Sequence, residues 1–265
     1  MSQQPLLQLA ELQQFLLAYW WPFCRIMALL SLAPLFSHRA VSVRIRIVIA
    51  LALTLGLAGA LPLPPVIEPL SLQGLAAALE QIAFGLLLGL ALQLVFAVYT
   101  LVGGVVATPM GLSMAIVNDP VNAVSASPIL YQVYFALLAL LFFAIDGHLV
   151  VASILYQSFI HWPIGSGLYY DGFATILRAF AWVLSAAALI AAPVVFCMML
   201  VQFCFGLLNR ISPAMNLFSL GFPMAITSGL ALIYLTLPNV AESYLHLTRD
   251  LLTRLDIMLR SSGHG

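Results

Sequence analysis

The sequence predicts an all-α, polytopic membrane-associated protein of long, broken helices and hairpins, with about six hydrophobic segments and a C-terminal amphipathic helix. Three observations carry that prediction. Hydrophobic residues make up 63% of the chain and charged residues only 7%, with a mean hydropathy of +1.10. A soluble domain carries roughly 25% charged residues to face water. Apolar runs long enough to cross about 30 Å of hydrocarbon as helices, roughly 20 residues each, recur along the 265 residues. Prolines, glycines and short polar clusters separate them. The nine basic residues are all Arg and are balanced by nine acids, so no basic surface exists for nucleic acid. A soluble enzyme and a disordered chain are excluded on the same composition.

The elements follow in order, within a single membrane domain over residues 1–265. Residues 1–24 hold no basic residue and lack the positive start of a secretory signal peptide, so the first span is expected to begin near Phe15. It covers about 15–36 and ends at Pro34 and Ser37-His38-Arg39. The second, 43–61, stops at Pro62, Pro64 and Pro65, which fix φ and remove donors. The third runs over 72–107 and is loosened by Gly103-Gly104; the fourth runs over 129–160 and turns at Gly165, Gly167 and Gly172. The fifth and sixth cover 174–209 and 214–237. Basic residues favour cytoplasmic loops. Arg39, Arg44, Arg46 and Arg210 therefore assign the turns after the first and fifth spans to the cytoplasm, although Arg249, Arg254 and Arg260 then fall on the other side.

Three segments are too long. At 36, 32 and 36 residues they would reach about 54, 48 and 54 Å as continuous helix, more than a tilt near 20° absorbs. Each must bend, break or leave the bilayer, with candidate breaks at Gly85 and Gly89, at Asp146-Gly147, and at Pro193. Residues 239–260 place Tyr244, Leu247, Leu251, Leu255 and Met258 on one helical face, and Glu242, Arg249, Asp250, Arg254, Asp256 and Arg260 on the other. Three Arg against three acids is a poor anionic-lipid binder, so packing on a sister subunit is expected.

Candidate chemistry is sparse. Cys197 and Cys204 are seven residues apart, about 10.5 Å along a helix and too far for a disulfide, which needs roughly 4.4–6.8 Å. With Cys24 they are expected as small core hydrophobes, and no metal-ligand spacing is present. Arg25, Glu80, Gln81, Asp146, His148 and Arg178 lie in or beside apolar runs, where a charge costs about 2.5–3.5 kcal/mol. They mark either an ion or proton pathway or the satisfaction of kinked backbone and partner contacts. Asp146 or His148 could cap the helix freed at Gly147. No nucleophile stands at a recognisable spacing, so no catalytic site or cofactor is expected.

The loop 108–128 is the most informative stretch. It combines Met110, Gly111, Leu112, Met114, Ile116 and Val117 with a turn at Asn118-Asp119-Pro120. Irregular backbone at membrane depth survives only where protein covers it or it lines a cavity. Adaptable Met side chains suit a plug, and packing on neighbouring helices is the other possibility.

Taken in order, Pro34-Leu35-Phe36 with Val43–Ala50, the run Gly111 to Pro120, Leu141–His148, and Arg210–Phe218 leading to Leu220–Pro223 resemble the FliR family of flagellar type III export-gate proteins, from about Phe15 to Leu237. Ala214 departs from the Gln common in that family. The SctT-type injectisome family and an ion-coupled secondary transporter are the alternatives. The resemblance implies a structural export-gate subunit in the bacterial inner membrane at the flagellar basal body. It implies FliP-like, FliQ-like and FlhB-like partners, contact with membrane lipid, and unfolded export substrates. It further implies that Met110 to Pro120 form a plug that closes the channel, and that Arg210 and Asn216 lie in a structural motif.

Overall fold

The computed structural model describes residues 19–38, 41–61, 67, 71–112, 129–167, 170–211 and 217–261. Every regular element among the described residues is a helix. They are α1 (19–32), α2 (Val43–Ala58), α3 (Leu72–Ala107), α4 (Ile129–Ala144), α5 (Gly147–His161), α6 (Tyr170–Ile211) and α7 (Leu217–Ser261). Three are long and apolar enough to cross a membrane, or four if the broken pair α4–α5 counts as one span. The break falls at Asp146, as the sequence predicts, but its chemistry differs from the expected side-chain cap. Asp146 sits at φ 55 and makes no side-chain capping hydrogen bond. Its carbonyl accepts from the Leu149 and Val150 N–H groups instead, and Asp is chosen because it tolerates the left-handed region.

The other predicted breaks do not occur. Helix α3 runs unbroken through Gly85 and Gly89, and α6 runs through Pro193. Helix α7 contains both Pro223 and Pro238, so the C-terminal amphipathic stretch continues the preceding span. A proline removes one ladder bond, and membrane helices tolerate this where neighbours re-satisfy the backbone. Gly172 lies inside α6, not in a turn.

The chain divides into two compact units, one of 1–93, 146–178 and 251–265, the other of 94–145 and 179–250. In the first, Gly85 and Gly89 are contact points. A Cβ at Gly85 would collide with the Arg25 carbonyl and come within 2.7 Å of Ala28 Cβ. One at Gly89 would meet the Leu29 carbonyl at 2.7 Å. These glycines let α1 lie directly on α3, burying Trp21, Ile26, Leu29 and Leu30. In the second unit, Tyr99 donates to the Val240 carbonyl at 3.1 Å, while Phe96 meets Tyr244 edge-on at 6.4 Å.

Two expectations need correction. Tyr244, Leu247, Leu251, Leu255 and Met258 are 2–7% exposed, so the apolar stripe of α7 is already covered by this chain and is not held open for a sister subunit. Cys204 is exposed and not a core residue, while Cys24 and Cys197 are half-buried.

The α1–α3 contact yields a direct test. Gly85→Val should destabilise the purified protein by about 1–3 kcal/mol through overpacking. Gly104→Ala, where nothing lies within 4 Å of the added Cβ, should stabilise it by about 0.5–1 kcal/mol. Thermal unfolding in detergent should separate the two in sign.

Candidate functional site

The most constrained chemistry in the first unit surrounds Arg25. Its side chain is 0% exposed, so the protein must supply every partner that water would otherwise provide. The guanidinium Nε donates to Gln81 Oε1 at 2.8 Å. One terminal nitrogen donates to the Ser158 carbonyl at 2.8 Å and to Ser158 Oγ at 3.2 Å, and the other to the Trp162 carbonyl at 2.7 Å. Ser158 and Trp162 stand at the C-terminal end of α5, where the macrodipole is negative; the Ser158 carbonyl also accepts from the Trp162 N–H at 2.9 Å. The planar cation lies against the rings of Phe159 at 4.2 Å and Phe84 at 5.1 Å, a geometry guanidinium favours. Phe84 also stacks on Trp162 at 4.7 Å.

Glu80 completes the network and supplies the opposing charge. Its Oε1 accepts from Gln81 Nε2 at 3.1 Å and from the Gly165 N–H at 3.0 Å. Its Oε2 accepts from the Gly167 N–H at 3.0 Å. Both glycines have positive φ, 84° and 88°, which aims the turn's N–H groups at one carboxylate. The result is a polar clamp joining α1, α3, the end of α5 and the turn after it. Arg25 and Glu80 have their polar atoms engaged with protein, so this centre holds structure together and offers no open acid or base.

The remaining polar residues singled out in the sequence do not join it. Asp146, His148 and Arg178 are exposed and share none of the clamp's hydrogen bonds. Glu80, Asp146 and Arg178 therefore do not form the common site an ion pathway would use. Arg210 is exposed in the last turn of α6, where a cation complements the helix dipole; Asn216 lies outside the described residues. The sequence reading missed Ser158, Phe159 and Trp162 as partners of Arg25. Ser158 interrupting an apolar run was the only local signal.

The second unit holds the start of the 108–128 loop. Helix α3 closes with a Schellman motif: the Gly111 N–H donates to the Thr108 carbonyl at 3.1 Å and the Leu112 N–H to the Ala107 carbonyl at 3.2 Å. Gly111 takes φ +76 at the position after the cap. Met110 is 0% exposed and occupies the space beside Gly229, where a Cβ would lie 2.5–2.7 Å from Met110 Cγ, Sδ and Cε. Phe222 lies against Gly111, its nearest ring carbon 3.0 Å from where a Cβ would stand. Gln202 Nε2 donates to the Pro109 carbonyl at 2.5 Å. The end of α3 through Leu112 is thus held at a fixed point. Met114, Ile116, Val117, Asp119 and Pro120 lie outside the described residues.

The family model for bacterial export proteins, family 1, matches residues 16–251 of this chain. The flagellar biosynthetic protein FliR of Escherichia coli (strain K12) is 32% identical over 89% of this chain and 90% of its own length. The FliR of Pectobacterium carotovorum subsp. carotovorum is 31% identical over 92% and 94%, and that of Bacillus subtilis (strain 168) is 27% identical over 89% and 94%.

Removing one side of the clamp should expose its energetics. Arg25→Leu leaves Glu80 as a buried carboxylate without its cation and should cost about 3–5 kcal/mol. Arg25→Lys should recover only part of that, because an ammonium cannot reach Gln81, Ser158 and Trp162 from one plane. Chemical unfolding in detergent micelles measures both; equal stability of all three proteins would refute the clamp.

Proposed function

This chain belongs to the bacterial export proteins, family 1, and on that premise we propose that it is a structural subunit of the flagellar type III protein export gate in the bacterial inner membrane. It contributes wall and seal to a pore that passes unfolded flagellar substrates. The other walls come from FliP-like and FliQ-like subunits, with an FlhB-like subunit attached. The single observation that carries the reading is the anchored exit of the 108–128 loop: a strap of apolar composition leaves α3 from a point held by Met110, Gly111 and Gln202.

A seal of this kind has to stop ions yet yield to a polypeptide. Apolar constrictions do the first by dewetting, and Met, Leu, Ile and Val side chains release passing chain without breaking strong polar bonds. Burial of Met110 supports a division of labour within the loop. Met110 is committed to the Gly229 pocket and serves as the fixed end, leaving Leu112, Met114, Ile116 and Val117 as sealing groups and Asp119-Pro120 as the return turn. The long helices favour assembly as well. Only 33% of the apolar window of α6 and 17% of that of α7 are buried inside the chain. Phe196, Phe203, Tyr234 and Leu235 are 64–75% exposed, which lipid and sister subunits would cover.

Ion conductance of the intact gate tests the proposal. Deleting residues 112–120 while keeping Met110 and Gly111 should raise leakage several-fold in a complex that still assembles. Gly229→Leu, which takes the space Met110 fills, should raise it as well, to a smaller extent. Leakage at the closed-gate level in a correctly assembled deletion complex would overturn the sealing role. A chain that works alone and moves small ions would instead favour a transporter.

A further inference from the structure

We infer that the part of the α6–α7 helix pair between Pro193 and Pro238 is a lever, hinged at those two prolines, that grips the end of α3 and releases it by swinging. The release deepens the export-gate reading and rests on it; the hinge does not. Every residue involved lies in the second unit.

The two prolines share one level of the pair. Ser228 Oγ donates to Met198 Sδ at 3.8 Å, and Leu189 lines one groove with Glu242. The helices therefore run side by side in opposite directions. Pro193 follows Leu189 by four residues and Pro238 precedes Glu242 by four, which sets the prolines opposite each other. Each removes a ladder hydrogen bond and crowds the carbonyl four residues back, here those of Leu189 and Tyr234. Sharp helix bends concentrate at proline. One proline bends one helix, whereas two abreast let both bend together as a hinge. The groove, about 450 Å³, starts beside the prolines, so the helices are loosely packed at the pivot.

Burial changes at the same level. On α6, every fourth residue from Ala179 to Ala191 except Ala187's neighbours is covered, and beyond Pro238 Val240, Tyr244 and Leu247 are buried. Between the prolines, no residue from Met199 to Ile211 or from Gly221 to Ser228 is buried. The base of the pair is thus packed and its far part lightly held.

Helix α3 meets both sides of the pivot. Its body is tied to the base, where Tyr99 donates to the Val240 carbonyl at 3.1 Å and Phe96 meets Tyr244. Its end is held from the lever: Gln202 donates to the Pro109 carbonyl, Gly229 admits Met110, and Phe222 lies against Gly111. Three consecutive residues are gripped by residues that stand between the two prolines. A swing about the prolines opens all three contacts while α3 stays on the base. One hydrogen bond and two apolar contacts have to part.

Double electron–electron resonance on the full chain in lipid nanodiscs tests the hinge, in a background of Cys24→Ser, Cys197→Ser and Cys204→Ser. Spin labels at Val105→Cys and Leu207→Cys report the lever, and labels at Val105→Cys and Leu184→Cys report the base; all three native residues are exposed. The lever pair should give two distances or one broad distribution, and the base pair one narrow distance. Pro193→Ala with Pro238→Ala should narrow the lever distribution several-fold and leave the base pair unchanged. A single narrow lever distance, or a spread that the alanines do not alter, overturns the hinge. Met110→Cys with Gly229→Cys, close enough for a disulfide, tests the release in the assembled gate. Oxidation should lower substrate export several-fold and reduction should restore it; undiminished export through the crosslinked gate overturns the release. Two lever distances in a gate whose loop deletion does not leak would sink the seal and keep the hinge.

Discussion

A guanidinium shut away from water has to be answered by protein atoms, and the first unit is arranged around that demand. Taking a cation out of water costs several kcal/mol unless donors and charge are both matched. For Arg25 the match comes from Gln81, from Ser158 and Trp162 at the end of α5, and from Glu80 behind Gln81. The partners come from two elements other than α1, namely α3 and the end of α5, so satisfying one side chain fixes how the three meet. Gly85 and Gly89 bring α1 and α3 close enough for the arginine to reach. The Phe159 and Phe84 rings then exclude water from the cation and gain from its charge.

The second unit answers a different constraint. Its helices carry far more apolar surface than one chain can cover, as the exposed Leu184, Leu189, Phe196 and Met199 of α6 show. Such faces are stable in lipid or against other apolar helices, and the family to which the chain belongs consists of bacterial export proteins. Against that greasy surface stand a few well-defined internal contacts: the Tyr99 hydroxyl on Val240, Met110 beside Gly229, and Gln202 on the carbonyl of Pro109. The last two lie where α3 ends.

Parts of this arrangement were legible in the residue order. The limits of α3 follow from its hydropathy alone, because an uninterrupted apolar run has only one way to satisfy its backbone in lipid. The break before Gly147 and the turn at Gly165 and Gly167 were visible because glycine pairs with conformations other residues avoid. Arg25, Glu80 and Gln81 stood out as polar groups in apolar surroundings. What could not be read was that they meet, since Arg25 and Trp162 are separated by 137 residues and no local pattern links them. Gly85 and Gly89 look like hinges from sequence and act as contact surfaces in the fold. Pro193 and Pro238 look like breaks and lie inside helices.

The division has a physical basis. Composition and periodicity report how each segment meets its solvent, so the order of residues was sufficient to determine an all-helical membrane protein and its long spans. A missing Cβ or a missing N–H has several uses, and only the neighbour in space selects one. Whether a glycine bends a helix or admits another, and whether a buried charge moves ions or locks helices together, was therefore decided by tertiary structure.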